Sequence, residues 1–174
     1  MNSKERVIAA LDFREPDRVP TGEFAIDHSL IGEVLGRETF WRAKRRYYEA
    51  LWDGRRDEVV EGMKRDIVDF TLAMGLDMVP VNAVPHRDFP FRKPKQLGAD
   101  TWEDERGNIL KYSHETEDIG LHRRGDKAAS KVDFELPSEL DESELELVRY
   151  VVEKLGKSHF VFCRPGRFGG LGYM

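Results

Sequence analysis

The chain has 174 residues, 40% of them hydrophobic and 35% charged, with a formal net charge of −5 and one cysteine, Cys163. That length supports a single core, while the acidic balance argues against a nucleic-acid partner, which needs clustered positive charge against phosphate. One cysteine excludes an internal disulfide and an unaided cysteine-rich zinc site.

No run approaches the roughly 18 apolar residues of a membrane span, and the first residues lack the basic start and apolar stretch of a secretory signal. The expectation is a cytoplasmic protein with no membrane partner. In chain order, Asn2 with Glu5 three residues on makes a capping-box start. Val7, Ile8 and Leu11 continue it as one apolar helical stripe, which the prolyl turn at 14–17 stops. Residues 18–28 then read as a first apolar strand ending in a carboxylate and an imidazole, Asp27 and His28. Leu30, Ile31, Val34 and Leu35 suit a short helix closed by Gly36.

A second helix is expected from Thr39. It places Phe40, Trp41, Tyr47, Tyr48, Leu51 and Trp52 on one side and Arg42, Lys44, Arg45 and Arg46 on the other. Such an aromatic row can stack a planar ligand, but rows at this spacing more commonly supply a buried face or a dimer contact. The third helix spans 55–74, with Val59, Met63, Ile67, Phe70 and Met74 in register and Gly75 as its stop. Residues 76–81 follow as a buried strand. Pro85, Pro90 and Pro94 make 84–95 an irregular loop.

Residues 101–113 read as a hairpin turning at 106–108, and 115–131 as a charged, solvent-covered excursion. Asp141 and Glu144 open a further helix striped by Leu145, Val148, Val152 and Leu155 and stopped by Gly156. Residues 159–163 form a third buried strand. The Arg and Lys pairs along the chain adjoin acids and read as solvated helix faces.

Strands alternating with helices imply a parallel sheet with right-handed crossovers. Three such strands fall short of the eight in a barrel of about 250 residues. The fold class expected is therefore α/β: the N-terminal portion of a (β/α)8 TIM barrel with a preceding helix and an inserted β-hairpin, one partial domain over 1–174.

Ligands of parallel sheets bind at the carboxyl ends of the strands. That rule selects Glu23, Asp27 and His28 as catalytic candidates, and Asn82, His86, Arg164 and Arg167 as substrate-binding candidates, all but Arg167 expected to converge on one rim. Each has a plainer reading: Asp27 as a helix cap, the histidines as ordinary hydrogen-bonded side chains, the arginines as surface ion pairs. The glycine-rich run 166–172 lacks the Lys and Ser/Thr of a P-loop. His114, Glu115, Asp118 and His122 are metal-ligand types in a charged loop, where solvated charge is the stronger reading, so no metal site is assigned.

Three stretches carry a resemblance: SKERVIAALDFREPDRVP at 3–20, MGLDMVPV at 74–81 and DTWEDERGNILKYS at 100–113. Together they resemble the N-terminal half of the uroporphyrinogen decarboxylase superfamily, which includes the decarboxylases and the cobalamin-dependent methyltransferases. The decarboxylases carry Arg-Gln-Ala-Gly-Arg after the first strand and Phe-Ser-Asp after the second. Residues 23–28 here read Glu-Phe-Ala-Ile-Asp-His, and 81–84 read Val-Asn-Ala-Val. Both motifs are absent, so the resemblance favours the corrinoid methyltransferase branch, with uroporphyrinogen decarboxylation second.

In that branch a zinc ion on a His-x-Cys pair and a distant Cys activates a thiol for methyl transfer. Those ligands lie in the family's C-terminal half, so zinc and a corrinoid belong to a full-length form and no cofactor is assigned to this chain. The resemblance implies a small-molecule substrate, a corrinoid protein as partner, and an enzyme at family level that is inactive as this chain alone. Self-association, or pairing with a missing C-terminal half, is the expected behaviour. The remaining alternative is a non-catalytic half-barrel serving assembly or binding.

Overall fold

The computed structural model describes residues 1–115, 117–125 and 141–164, the side chain of Arg164 excepted. Its helices are α1 (Ser3–Leu11), α2 (His28–Leu35), α3 (Lys44–Trp52), α4 (Arg56–Met74) and α5 (Glu146–Leu155). Its strands are β1 (Met78–Asn82), β2 (Lys95–Gly98), β3 (Thr101–Glu103), β4 (Ile109–Ser113), β5 (Asp118–Arg123) and β6 (Phe160–Arg164).

The described chain is mixed α/β, with one parallel and one antiparallel sheet and no closed barrel. β1 and β6 pair in parallel, Val79 beside Val161 and Asn82 beside Arg164. β2, β3, β4 and β5 form an antiparallel meander in chain order. Val79 and Val81 point to the helical side of β1, where Ile67 and Phe70 of α4 and Leu147 and Val151 of α5 close the main core. Alternation along the strand sends Met78, Pro80 and Asn82 to the opposite face.

The helix boundaries follow local chemistry. At α1 the Asn2 side chain accepts from Glu5 N, and the Glu5 carboxylate accepts from Asn2 N, a complete capping box. α2 and α4 end at Gly36 and Gly75, with φ of 64° and 62°, in the left-handed region that glycine enters without a Cβ clash. Gly156 differs from the expectation: its φ is −64°. A Cβ there would lie 2.5 Å from the Val152 carbonyl oxygen, so what the position requires is close approach rather than a left-handed turn.

The first predicted strand is corrected. Residues 18–26 form no ladder and make one parallel bridge, Gly22 to Met78. Pro20 has no N–H to donate, and the Glu23 carboxylate takes the N–H groups of Phe24 and Ala25 at 2.7 and 3.0 Å, diverting them from any strand partner. The second predicted helix starts five residues late, at Lys44. Thr39 Oγ1 accepts from Trp41 N at 2.9 Å, a local turn that competes with the helix. Arg42 then sits at φ 67°, outside the helical basin.

The antiparallel region is larger than the expected hairpin. Its turn falls where predicted, held by the Asp104 carboxylate, which accepts from Arg106 N and Asn108 N. The supposed loop 84–95 gives way to β2 at Lys95, and the supposed excursion 115–131 contains β5 through residue 123, while 126–131 lie outside the described residues. Asp141 caps Ser143 N at 2.8 Å but opens a 3-10 turn, Glu142–Leu145, before α5 begins.

The basic side chains are not uniformly solvated, which corrects a further expectation. Arg56 is only 4% exposed. It donates to Pro85 O at 2.8 Å, to Ser143 O at 3.0 Å and to the Glu146 carboxylate, tying α4 to α5. Arg45 lies over the rings of Trp102 and Tyr112, at 5.6 and 5.0 Å from their centroids, and donates to Asp100 at 2.7 Å, which docks α3 on the meander. No helix of the described residues is long and apolar enough to cross a membrane.

Candidate functional site

β1 ends at Asn82, and a cavity of about 320 Å³ opens beside that carboxyl end. Asn82 and Ala83 supply its strand side, and Trp41, Arg42, Lys44, Tyr47 and Tyr48 supply the wall from α3 and the turn before it. Asp118, the first residue of β5, closes the rim and accepts from Lys44 Nζ. The meander is what brings Asp118 there, because Arg45 holds the sheet against α3.

Burial sets the protonation states. The Tyr47 phenol is pushed up to about 12, chiefly by loss of solvent, and the neighbouring Tyr48 adds to the rise. Tyr48 is raised by burial and by the Asp118 carboxylate. Both phenols therefore stay protonated at neutral pH and can donate to a bound oxygen. Trp41 is packed edge-on against Phe70, centroids 5.8 Å apart, which fixes the apolar floor. The lining holds donors, an amide, aromatic faces and one ammonium–carboxylate pair. This set can bind and orient a small molecule, but it contains no histidine or cysteine to act as nucleophile.

The structure brings two of the seven sequence candidates together at this end of the sheet: Asn82 lines the cavity, and Arg164 is its register partner on β6. Four of the others are placed elsewhere. Glu23 is exposed and turned onto its own backbone, and those two N–H groups hold its carboxyl below the usual carboxylate range. Asp27 is exposed at the N-cap position of α2, yet its side chain makes no capping bond. His28 faces Glu117, Nδ1 to Oε2 3.1 Å, in a neighbouring hollow that shares Lys44 with the Asn82 cavity. His86 packs edge-on to Phe89, centroids 5.4 Å apart, in the loop that leads away from β1. Arg167 lies outside the described residues.

No zinc centre fits among the described residues. Among the described residues no group of three or more His, Cys, Asp or Glu side chains is arranged to hold a metal ion. His114, one of the considered ligands, instead meets the Asp100 carboxylate at 2.9 Å, and Asp118 is engaged by Lys44.

Tyr47 and Tyr48 were visible as an aromatic row, but Lys44 and Asp118 read as solvated charge. Their pairing spans 74 residues, so no local pattern announces it. Compared with known proteins, the chain matches no family model, no curated protein and no solved structure.

Proposed function

We propose that the chain forms the amino-terminal wall of a (β/α)8 barrel of the uroporphyrinogen decarboxylase type, from the corrinoid-dependent methyltransferase branch. The observation that carries this reading is the order of the parallel elements. Residues 18–26 bridge in parallel to β1, and β1 pairs in parallel with β6, so three consecutive apolar runs are neighbours in chain order, as barrel strands are. The cavity lies where such a barrel seats its substrate, at a strand's carboxyl end. In this reading Asn82 and the two phenols orient the methyl acceptor. The zinc and the corrinoid are supplied by protein outside the described residues.

A second reading, a half-barrel that assembles with a partner or with itself, is favoured by the sheet face opposite the helices. There Phe24, 52% exposed, meets Phe162 at 5.1 Å between centroids. Uroporphyrinogen decarboxylation remains an alternative, set behind methyl transfer because residues 23–28 and 81–84 lack the decarboxylase motifs.

Sequencing the reading frame beyond this chain, expressing the combined protein and assaying methyl transfer from methylcobalamin to a thiol tests the proposal. A downstream His-x-Cys pair and later Cys with measurable transfer supports it. Turnover of uroporphyrinogen, or no transfer by a folded and zinc-loaded product, overturns it.

A further inference from the structure

The charges around the Asn82 cavity narrow the class of molecule it takes. Among its lining residues Arg42 and Lys44 are cationic and Asp118 is anionic, two against one, a surplus of one positive charge. Lys44 is bound to Asp118, so the surplus resides on Arg42. Arg42 uses Nε to donate to Ile26 O at 3.2 Å. Its two terminal nitrogens make no hydrogen bond or ion pair with any described residue, which leaves a planar pair of donors on an exposed residue of the cavity lining. The backbone at Arg42 is held at φ 67°, a conformation a residue with a Cβ adopts under strain and glycine adopts freely. Outliers of this kind cluster at ligand clamps.

Aromatic side chains share the lining with these polar groups. The Trp41 indole, 9% exposed, and the rings of Phe40 and Tyr48 line the space. Two protonated phenols and the Asn82 amide provide polar contacts at its edge. A flat aromatic wall rewards a planar ligand, and a lone guanidinium rewards a carboxylate that accepts two parallel N–H bonds.

We propose that this cavity binds a small aromatic carboxylic acid, one ring or a fused pair, with its carboxylate on the terminal nitrogens of Arg42 and its ring against Tyr48 and Trp41. The inference rests on the reading of this cavity as a substrate site, and it does not require methyl transfer.

Calorimetric titration of the purified 174-residue chain with three probes tests it: benzoate, benzamide, and cyclohexanecarboxylate. Benzoate is expected to bind at least about tenfold more tightly than either of the others, the scale of one charge-assisted bond or of lost ring contacts. Arg42→Gly, which relieves the backbone strain, is expected to melt no lower than wild type and to erase the preference for benzoate over benzamide. Arg42→Lys, which keeps the charge without the paired donors, is expected to retain only part of it. Equal binding of benzoate and benzamide, cyclohexanecarboxylate binding as tightly as benzoate, absence of benzoate binding to folded chain, or an undiminished preference in both variants would each overturn the proposal. Because the readout is equilibrium binding, a failure of methyl transfer leaves it standing, and a failure here leaves the methyl-transfer assay to decide the other question.

Discussion

Arg6 Nη1 donates to Asp77 Oδ1 at 2.6 Å, joining α1 to the residue just before β1 across 71 positions of chain. Asp77 has no exposed surface, and its carboxylate also accepts from Arg18 Nη1 at 2.7 Å and from Thr21 N at 2.8 Å. The same residue's backbone donates to Thr21 O and accepts from Phe160 N, so one aspartate holds α1, the 18–21 segment, β1 and β6 in place. This staple lies at the amino end of the parallel strands. The Asn82 cavity lies at the carboxyl end. Ligands of parallel α/β proteins bind at that carboxyl end.

Asp77→Asn is therefore expected to destabilise without touching ligand binding. It withdraws a buried charge from two guanidinium partners, a change that costs about 3 kcal/mol when one member of a buried pair is lost. Urea unfolding measures the loss, and benzoate titration of the folded fraction is expected to match wild type.

Stability is expected to fall in acid, in two steps. Burial alone would raise the Asp77 pKa, but the bonds from Thr21, Ser3, Arg18 and Arg6 outweigh it and hold the group below the usual carboxylate range. Asp17 is likewise lowered, first by its bond from Arg6. A depressed carboxyl contributes stability that is present above its unfolded pKa, about 3.9, and is lost as pH falls toward the folded value. His159 is lowered by burial, so its contribution is present above about 6.5 and wanes as the pH drops below that. Unfolding curves from pH 8 down to about pH 2 check this. Asp77→Asn is expected to flatten the lower step, and His159→Gln the upper one.

Gly22→Ala is expected to loosen the only bridge between residues 18–26 and β1. The added methyl would sit 2.7 Å from Met78 Cβ, closer than carbon atoms approach, and the cost of such overpacking is about 1 to 3 kcal/mol. Thermal melting reads the loss. A melting temperature equal to wild type would show that the 18–26 segment does not pack on β1 in solution.

The two N-cap positions make a paired comparison. Asn2→Ala removes a working capping box and is expected to cost about 1 kcal/mol. Asp27→Ala removes a side chain with no capping bond and is expected to stay within about 0.5 kcal/mol of wild type. Chemical denaturation of both variants gives the two numbers. If Asp27→Ala costs as much as Asn2→Ala, the plainer role of Asp27 as a helix cap is restored.

Much of the chain was legible one segment at a time. The capping box at Asn2 and Glu5, the left-handed stops at Gly36 and Gly75, the turn at 106–108 and the apolar runs that became β1 and β6 all depend on residues within a few positions of one another. Local backbone chemistry is enough to read them. Local competitors account for two departures from periodicity: Thr39 accepting from Trp41 N delays α3, and Glu23 folding onto its own backbone prevents the first strand from forming a ladder.

The site was a different matter. That Asn82 stands at the carboxyl end of a parallel strand follows from a rule of topology. Lys44, Asp118 and Arg45 read as solvated charge, and nothing in the sequence pairs Arg6 with Asp77, because a charged residue's partner is chosen by packing and not by spacing along the chain. Composition and periodicity settle which faces are apolar. Only the docking of the meander on α3 settles which charges are removed from water and left facing one another across a cavity, since desolvation is a property of the assembled fold.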